Sequence, residues 1–227
     1  MDRYTPLGYG SSGVVVYGLT PYPSHALKLY SAPADEAAIL REGSIQAAVA
    51  RALPHILHVP SVHTVTRQPV VFEDADYIAG IYMDPVPGHS EIDGQQVHIP
   101  LGANLETDEF LNGGFFPTIA TLEQLFTFKR SRHNIESVAY TMGRAHRALL
   151  DADIIPNDVK FLYGADDRIW MIGFRHCRTG HIGPMEWLND RQREVEPYAP
   201  REAQRGRANY IAGFLDSPTG QVPHIPP

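Results

Sequence analysis

Residues 140–177 read YTMGRAHRALLDADIIPNDVKFLYGADDRIWMIGFRHC, and the order of parts in this stretch decides the fold. Met142, Ala145 and Leu149 recur at helical spacing and mark one apolar side of a helix. A polar loop follows, carrying Asp153, Pro156, Asn157 and Asp158. Two short apolar runs, 159–163 and 169–172, read as strands joined by the turn Gly164-Ala165-Asp166-Asp167. The stretch closes on a Gly173-Phe174-Arg175 corner. Two carboxylates five residues apart, Asp153 and Asp158, therefore lie between a helix and a hairpin.

Toward the N-terminus, residues 7–28 read LGYGSSGVVVYGLTPYPSHALK. Gly8, Gly10 and Gly13 fit G-x-G-x-x-G. In a dinucleotide-binding fold such glycines lead from a strand into a helix. Here they lead into Val14-Val15-Val16-Tyr17, a β-branched run that reads as a strand. Glycines in such a turn let backbone N–H groups approach phosphate without side-chain obstruction. A second strand, 25–30, follows the Pro21–Pro23 turn and carries Lys28. Residues 35–53 predict a helix: Asp35 and Glu36 open it, alanines fill it and Pro54 stops it. Ile39, Ile45, Val49 and Leu53 form its apolar stripe. Glu42 is the best candidate partner for Lys28, with Glu36 nearer the preceding strand. Residues 55–72 alternate strand-like segments with proline turns. Their histidines, His55, His58 and His63, lack both a helical frame and cysteines, so no metal site is expected. Residues 77–86 read as a buried strand ending at Pro85. Residues 88–116 are long, polar and glycine-rich, either a lid over a cleft or an insertion. Helices are expected at 121–128, 135–150 and 209–215.

In order and separation, Gly8, Gly10, Gly13, Lys28, Glu42, the 77–83 strand, Asp153, Asp158 and the Phe174 corner resemble the protein-kinase signatures. The resemblance implies an α+β, two-lobed protein-kinase-like fold. Residues 1–87 would form a small antiparallel-sheet N-lobe, and 88–227 the lid or insertion and a truncated helical C-lobe. It implies that Lys28 pairs with phosphates and Glu42, that Asp153 is a general base and that Asp158 takes the place of the metal-binding Asn. Gly8, Gly10, Gly13, Met83, Asp84 and Phe174 would then bound the ligand. ATP with Mg²⁺ is the ligand a kinase implies, although the residues themselves specify no cofactor. The chain is also similar to a fungal family of uncharacterised kinase-like domains, some fused to zinc fingers. That likeness rests on residues 158–164 (DVKFLYG), 169–177 (IWMIGFRHC) and 196–201 (EPYAPR), with the Gly8–Gly13 turn. No zinc-finger cysteines accompany them. The family's Asp before Phe174 is Gly173 here, and the usual Lys two residues after the catalytic Asp is Ile155. About fifty residues follow Phe174, without an Ala-Pro-Glu segment. A divalent ion that bridges phosphates needs carboxylate ligands. The expectation is a pseudokinase-like protein with impaired ATP-dependent phosphotransfer.

Composition narrows the alternatives. The 227 residues carry a formal net charge of −7, with no run of basic residues, which argues against nucleic-acid or acidic-membrane partners. One cysteine, Cys177, permits no internal disulfide and fits a reducing compartment. No secretory signal is visible and no apolar run approaches the roughly 20 residues that span a bilayer; a cytoplasmic location is expected. Three functions remain open. One is a kinase-like protein with an inter-lobe small-molecule cleft. A second is the same fold reused as a metal-independent cyclase, isomerase or dehydratase of secondary metabolism, with Asp153, Asp158, His176 or Lys28 as acid or base. The third is a non-enzymatic interaction module. For Cys177 a buried structural thiol is expected over a nucleophile, and His176 and His181, with no visible partner in sequence, are expected to be structural.

Overall fold

A computed structural model describes residues 5–10, 12–17, 24–87, 90–92, 95–97, 99–101, 135–163, 166, 168–193 and 201–216. The N-terminal half is an antiparallel sheet of five strands, β1 (Thr5–Gly10), β2 (Gly13–Tyr17), β3 (Ala26–Ser31), β4 (Val62–Phe72) and β5 (Ala75–Met83), in the order β1-β2-β3-β5-β4. Helix α1 (Glu36–Ala52) packs on one face. It starts where the sequence predicts, because the Asp35 carboxylate accepts the Ala37 N–H at 2.9 Å. Residues 62–72 do not break at Pro69, as expected from the prolines. They form one long strand at the sheet edge, where a residue without an N–H leaves no ladder bond unmade.

The remaining described elements are three helices and seven short strands. Short strands β6 (Ser90–Ile92) and β7 (Gln95–Val97) form a hairpin. Strand β8 (Ile99–Leu101) joins β10 (Lys160–Tyr163) and β11 (Ile169–Ile172) in a three-stranded sheet. The beginning of the expected lid is therefore sheet, while residues 102–134, including the expected 121–128 helix, lie outside the described residues. Helix α2 (Ile135–Asp151) leads into β9 (Ile154–Ile155), which pairs with β12 (Arg178–Thr179). Helices α3 (Pro184–Arg193) and α4 (Arg201–Leu215) complete the fold. The expected α+β arrangement is present: a five-stranded antiparallel sheet with α1, followed by helices and short strands. Among the described residues no helix is long and apolar enough to cross a membrane.

Hydrophobic burial divides along the same line. Val14, Val16, Leu27, Leu29, Phe72 and Tyr82 fill one face of the large sheet. Tyr30, Ile81 and Met83 lie on the other, against Ile39 of α1. A larger core unites Ile45, Val49 and Leu53 of α1 with Met142, Leu149, Phe161, Phe174, Trp187 and Phe214. Helix α1 thus belongs to both halves. The backbone of His58 adds a second tie, donating to the Ile169 carbonyl at 2.9 Å and accepting from the Met171 N–H at 2.8 Å.

Helices α2 and α4 cross with their backbones nearly touching. A Cβ on Gly143 would stand 2.1 Å from the Tyr210 carbonyl oxygen, and one on Gly213 would stand 2.0 Å from that of Tyr140. Alanine at a helix interior gains about 1 kcal/mol in propensity over glycine, but forcing the helices apart undoes core packing. Gly143→Ala and Gly213→Ala are each expected to lower stability by about 2 kcal/mol, read as a fall in the urea midpoint. An unchanged or raised midpoint in both would show that the crossing is not tight.

Candidate ligand-binding cleft

The apolar stripe of α1 places Glu42 among Ile39, Ile45, Gln46 and Val49, so its carboxylate is only 2% exposed. A buried carboxylate must be paired. Lys28 Nζ, on the neighbouring strand, donates to Glu42 Oε1 at 2.6 Å, and the Tyr30 hydroxyl donates to Oε2 at 2.7 Å. Burial, then the Glu42 charge, raise the Tyr30 pKa far above the ordinary phenol range, so the hydroxyl keeps the proton it donates. The sequence-predicted partner of Lys28 is therefore Glu42. Glu36 instead meets Arg67 at the surface, at 2.7 Å.

Lys28 and Glu42 line a cleft of about 200 Å³ between the two halves. Its upper wall comes from β1, β2 and β3, with Gly8, Gly10, Gly13, Val15 and Ala26, and from Met83 and Asp84 at the end of β5. Gly8 and Gly10 have no atom within 4 Å of an added Cβ, so they leave open space. A Cβ on Gly13 would strike the Leu29 carbonyl. Register places Ala26 opposite Met83, and Lys28 lies two residues further along β3. The cleft therefore runs from an apolar end at Ala26 and Met83 to a charged end at Lys28 and Glu42. Asp84 is held at the rim by His63, at 2.6 Å. Burial would raise its pKa, but the bonds from His63 and Ser61 outweigh burial and hold the carboxyl below its usual range.

The lower wall consists of Asp158, Lys160, Leu162, Ile172, Gly173, Arg175 and His176. Pairing of β9 with β12 brings the 156–158 loop beside the 173–177 corner. Asp158 has φ 51° and Gly173 has φ 80°, and a Cβ on Gly173 would stand 3.4 Å from the Asp158 carbonyl oxygen. Left-handed backbone at a non-glycine residue costs about 1–2 kcal/mol, and such positions gather at functional sites. His176 Nε2 lies 3.9 Å from the Asp158 carboxylate, a partner the sequence does not reveal.

Two sequence-predicted site residues are not brought into this cleft. Asp153 ends α2 in the left-handed conformation, φ 56°, with its N–H on the Leu150 carbonyl, as a helix-terminating residue does. Its exposed carboxylate meets the exposed His181 ring at 3.0 Å. Asp153 therefore lies outside the cleft, and Asp158, five residues later, is the carboxylate of this loop that lines it. Lys160, two residues after Asp158, lines the cleft as well, whereas Ile155, two after Asp153, lies in β9. Phe174 is fully buried in the lower core and does not wall the cleft.

The lining tests whether a divalent ion would fit. Of its carboxylates, Glu42 is held by Lys28 and Tyr30, and Asp84 by His63. Asp158 remains, next to a glycine and among Lys160, Arg175 and His176. Among the described residues no group of three His, Cys, Asp or Glu side chains is arranged to hold a metal. The donor set suits an anion and does not suit Mg²⁺.

No protein-family model matches the chain, and no curated protein matches it. Among solved structures, it is similar to the PknI kinase domain of Mycobacterium tuberculosis at 19% identity and a TM-score of 0.40, covering 99% of this chain and 77% of that one. A second structure of that domain gives 18% identity and a TM-score of 0.38, with 99% and 78% covered.

Two expected outcomes follow from the positions of Asp153 and Cys177. Asp153→Gly relieves left-handed strain but gains unfolded-chain freedom, so its stability should stay within about 1 kcal/mol of the parent. Any ligand-induced rise in Tm should be unaltered; loss of that rise would return Asp153 to the site. Cys177 is buried, and burial pushes its thiol up to about 11, well above its usual range, although a bond to the Asn157 backbone acts in the opposite direction. The native thiol should resist a disulfide reagent at pH 8 and react only once urea unfolds the chain. Rapid native reaction would mean that the 173–177 corner opens.

Proposed function

We propose that the chain is a kinase-like protein whose inter-lobe cleft binds a small phosphate-bearing ligand, with impaired ATP-dependent phosphotransfer. The observation that carries this reading is the Lys28–Glu42 pair facing Asp158 across a cleft in which Gly173 presents no carboxylate. Lys28 supplies a fixed positive charge and the open backbone at Gly8 and Gly10 admits phosphate oxygens. Val15, Ala26 and Met83 above, with Leu162 and Ile172 below, suit a flat apolar group. Asp158 is the carboxylate available to accept a proton from a hydroxyl. Phosphoryl transfer depends on metal ions that neutralise charge as it develops, and the lining does not provide their ligands. A second reading, a metal-independent acid–base enzyme, is supported by the nearness of His176 to Asp158.

The test is thermal stability of the full chain with ATP, with ATP plus Mg²⁺ or Mn²⁺, and with neither, on the parent and on Lys28→Ala. Expected are a rise in Tm with ATP, its loss in Lys28→Ala, and no phosphate release on prolonged incubation. Because Lys28→Ala leaves Glu42 short of a partner, its unliganded Tm should also fall, by the equivalent of about 3 kcal/mol. Absence of any ATP-induced rise in the parent would sink the nucleotide reading. Steady phosphate release that Lys28→Ala abolishes would establish a working phosphotransferase instead.

A further inference from the structure

The charged end of the cleft has an imbalance. Lys28 is committed to Glu42, but among the described residues neither Lys160 nor Arg175 has an ion-pair partner. Both lie on the lower wall, Lys160 two residues beyond Asp158 and Arg175 two beyond Gly173. The Arg175 charge reaches the Tyr30 hydroxyl on the upper wall, where it opposes the rise in that group's pKa. Arg175 thus lines the same cleft as the Lys28–Glu42 pair and lies within electrostatic reach of it. Setting aside Asp84, which His63 holds at the rim, Lys28, Lys160 and Arg175 against Glu42 and Asp158 leave one formal positive charge; with Asp84 the lining is formally neutral. A divalent cation entering here would add to that charge and meet one carboxylate not already bonded to Lys28, Tyr30 or His63.

We propose that Arg175 and Lys160 neutralise ligand phosphates in place of a divalent ion, so that the cleft takes a di- or triphosphate group metal-free. This rests on the phosphate-binding reading above and adds how the charge is met. A guanidinium presents a planar fork of donors that matches two phosphate oxygens, and the lysine contributes a point charge. These donors come with the fold, whereas a metal would need ligands that the lining does not have. Mg²⁺ complexed to a triphosphate removes two of its negative charges before it reaches a cationic site. Mg²⁺ should therefore compete with the protein for the phosphates.

The experiment is calorimetric titration of the full chain with ATP, in EDTA and in excess Mg²⁺, on the parent, Arg175→Gln and Lys160→Gln. Binding in EDTA that weakens several-fold in Mg²⁺ is expected. Arg175→Gln should weaken the EDTA binding tenfold or more and Lys160→Gln several-fold, with both variants melting like the parent when unliganded, since neither side chain holds an ion pair. Tighter binding in Mg²⁺ than in EDTA would overturn the metal-free proposal while leaving the phosphate cleft standing. So would parent-like EDTA binding in both variants. No ATP binding in either buffer would overturn both.

Discussion

A charge buried inside an apolar helix stripe is the constraint on which the rest of the molecule depends. An isolated carboxylate moved from water to a protein interior faces an idealised cost on the order of 20 kcal/mol. Glu42 is tolerated because two donors from one strand meet it. That requirement fixes the distance between α1 and β3 and directs Lys28 into the cleft. It also brings the Tyr30 ring close to β5. Room for the Tyr30 ring comes from Gly80, where a Cβ would stand 2.3 Å from a ring carbon. Four residues on three elements are thus fixed by one electrostatic demand.

Because α1 contributes to the cores on both sides, the cleft walls are not independent bodies. Ile39 packs under the sheet, while Val49 and Leu53 pack into the helical half. The backbone tie at His58 couples the α1 exit directly to β11, the strand that leads into Gly173. Cleft width is therefore a property of close packing, and close-packed interiors resist small deformations. A ligand would meet a site whose charged end is already assembled, which reduces the ordering needed on binding.

Much of this was legible in the sequence, for identifiable physical reasons. Helix α1 is announced by its cap, its alanines and its stop, and Glu42 falls on its buried face by periodicity alone. Lys28 follows from a β-branched strand and the turn that precedes it. The five-residue slip at Asp153 has an equally physical cause. A left-handed helix terminator is usually glycine, so an Asp in that position reads as chemistry when it is serving as geometry. The partners of His176 and His181 could not be read because they depend on two loops aligned by the two-residue β9–β12 pairing, too short to leave a periodic pattern. Pro69 misled for a similar reason: whether proline breaks a strand depends on the strand's place in the sheet. Phe174 belongs to the core because the corner turns it inward, away from the wall that its neighbours Gly173 and Arg175 form.

The glycine contact between α2 and α4 also bears on how the chain is made. The five strands of the large sheet and α1 all precede residue 84, so their pairings can form early in synthesis. Helix α2 cannot bury the face that carries His146 until Tyr210 and Phe214 arrive, some seventy residues after Gly143. At about 5–20 residues per second on a ribosome, that face waits for several seconds, exposed to solvent and to other nascent chains. The same close contact that makes the mature crossing rigid therefore cannot form until both of its helices have been made.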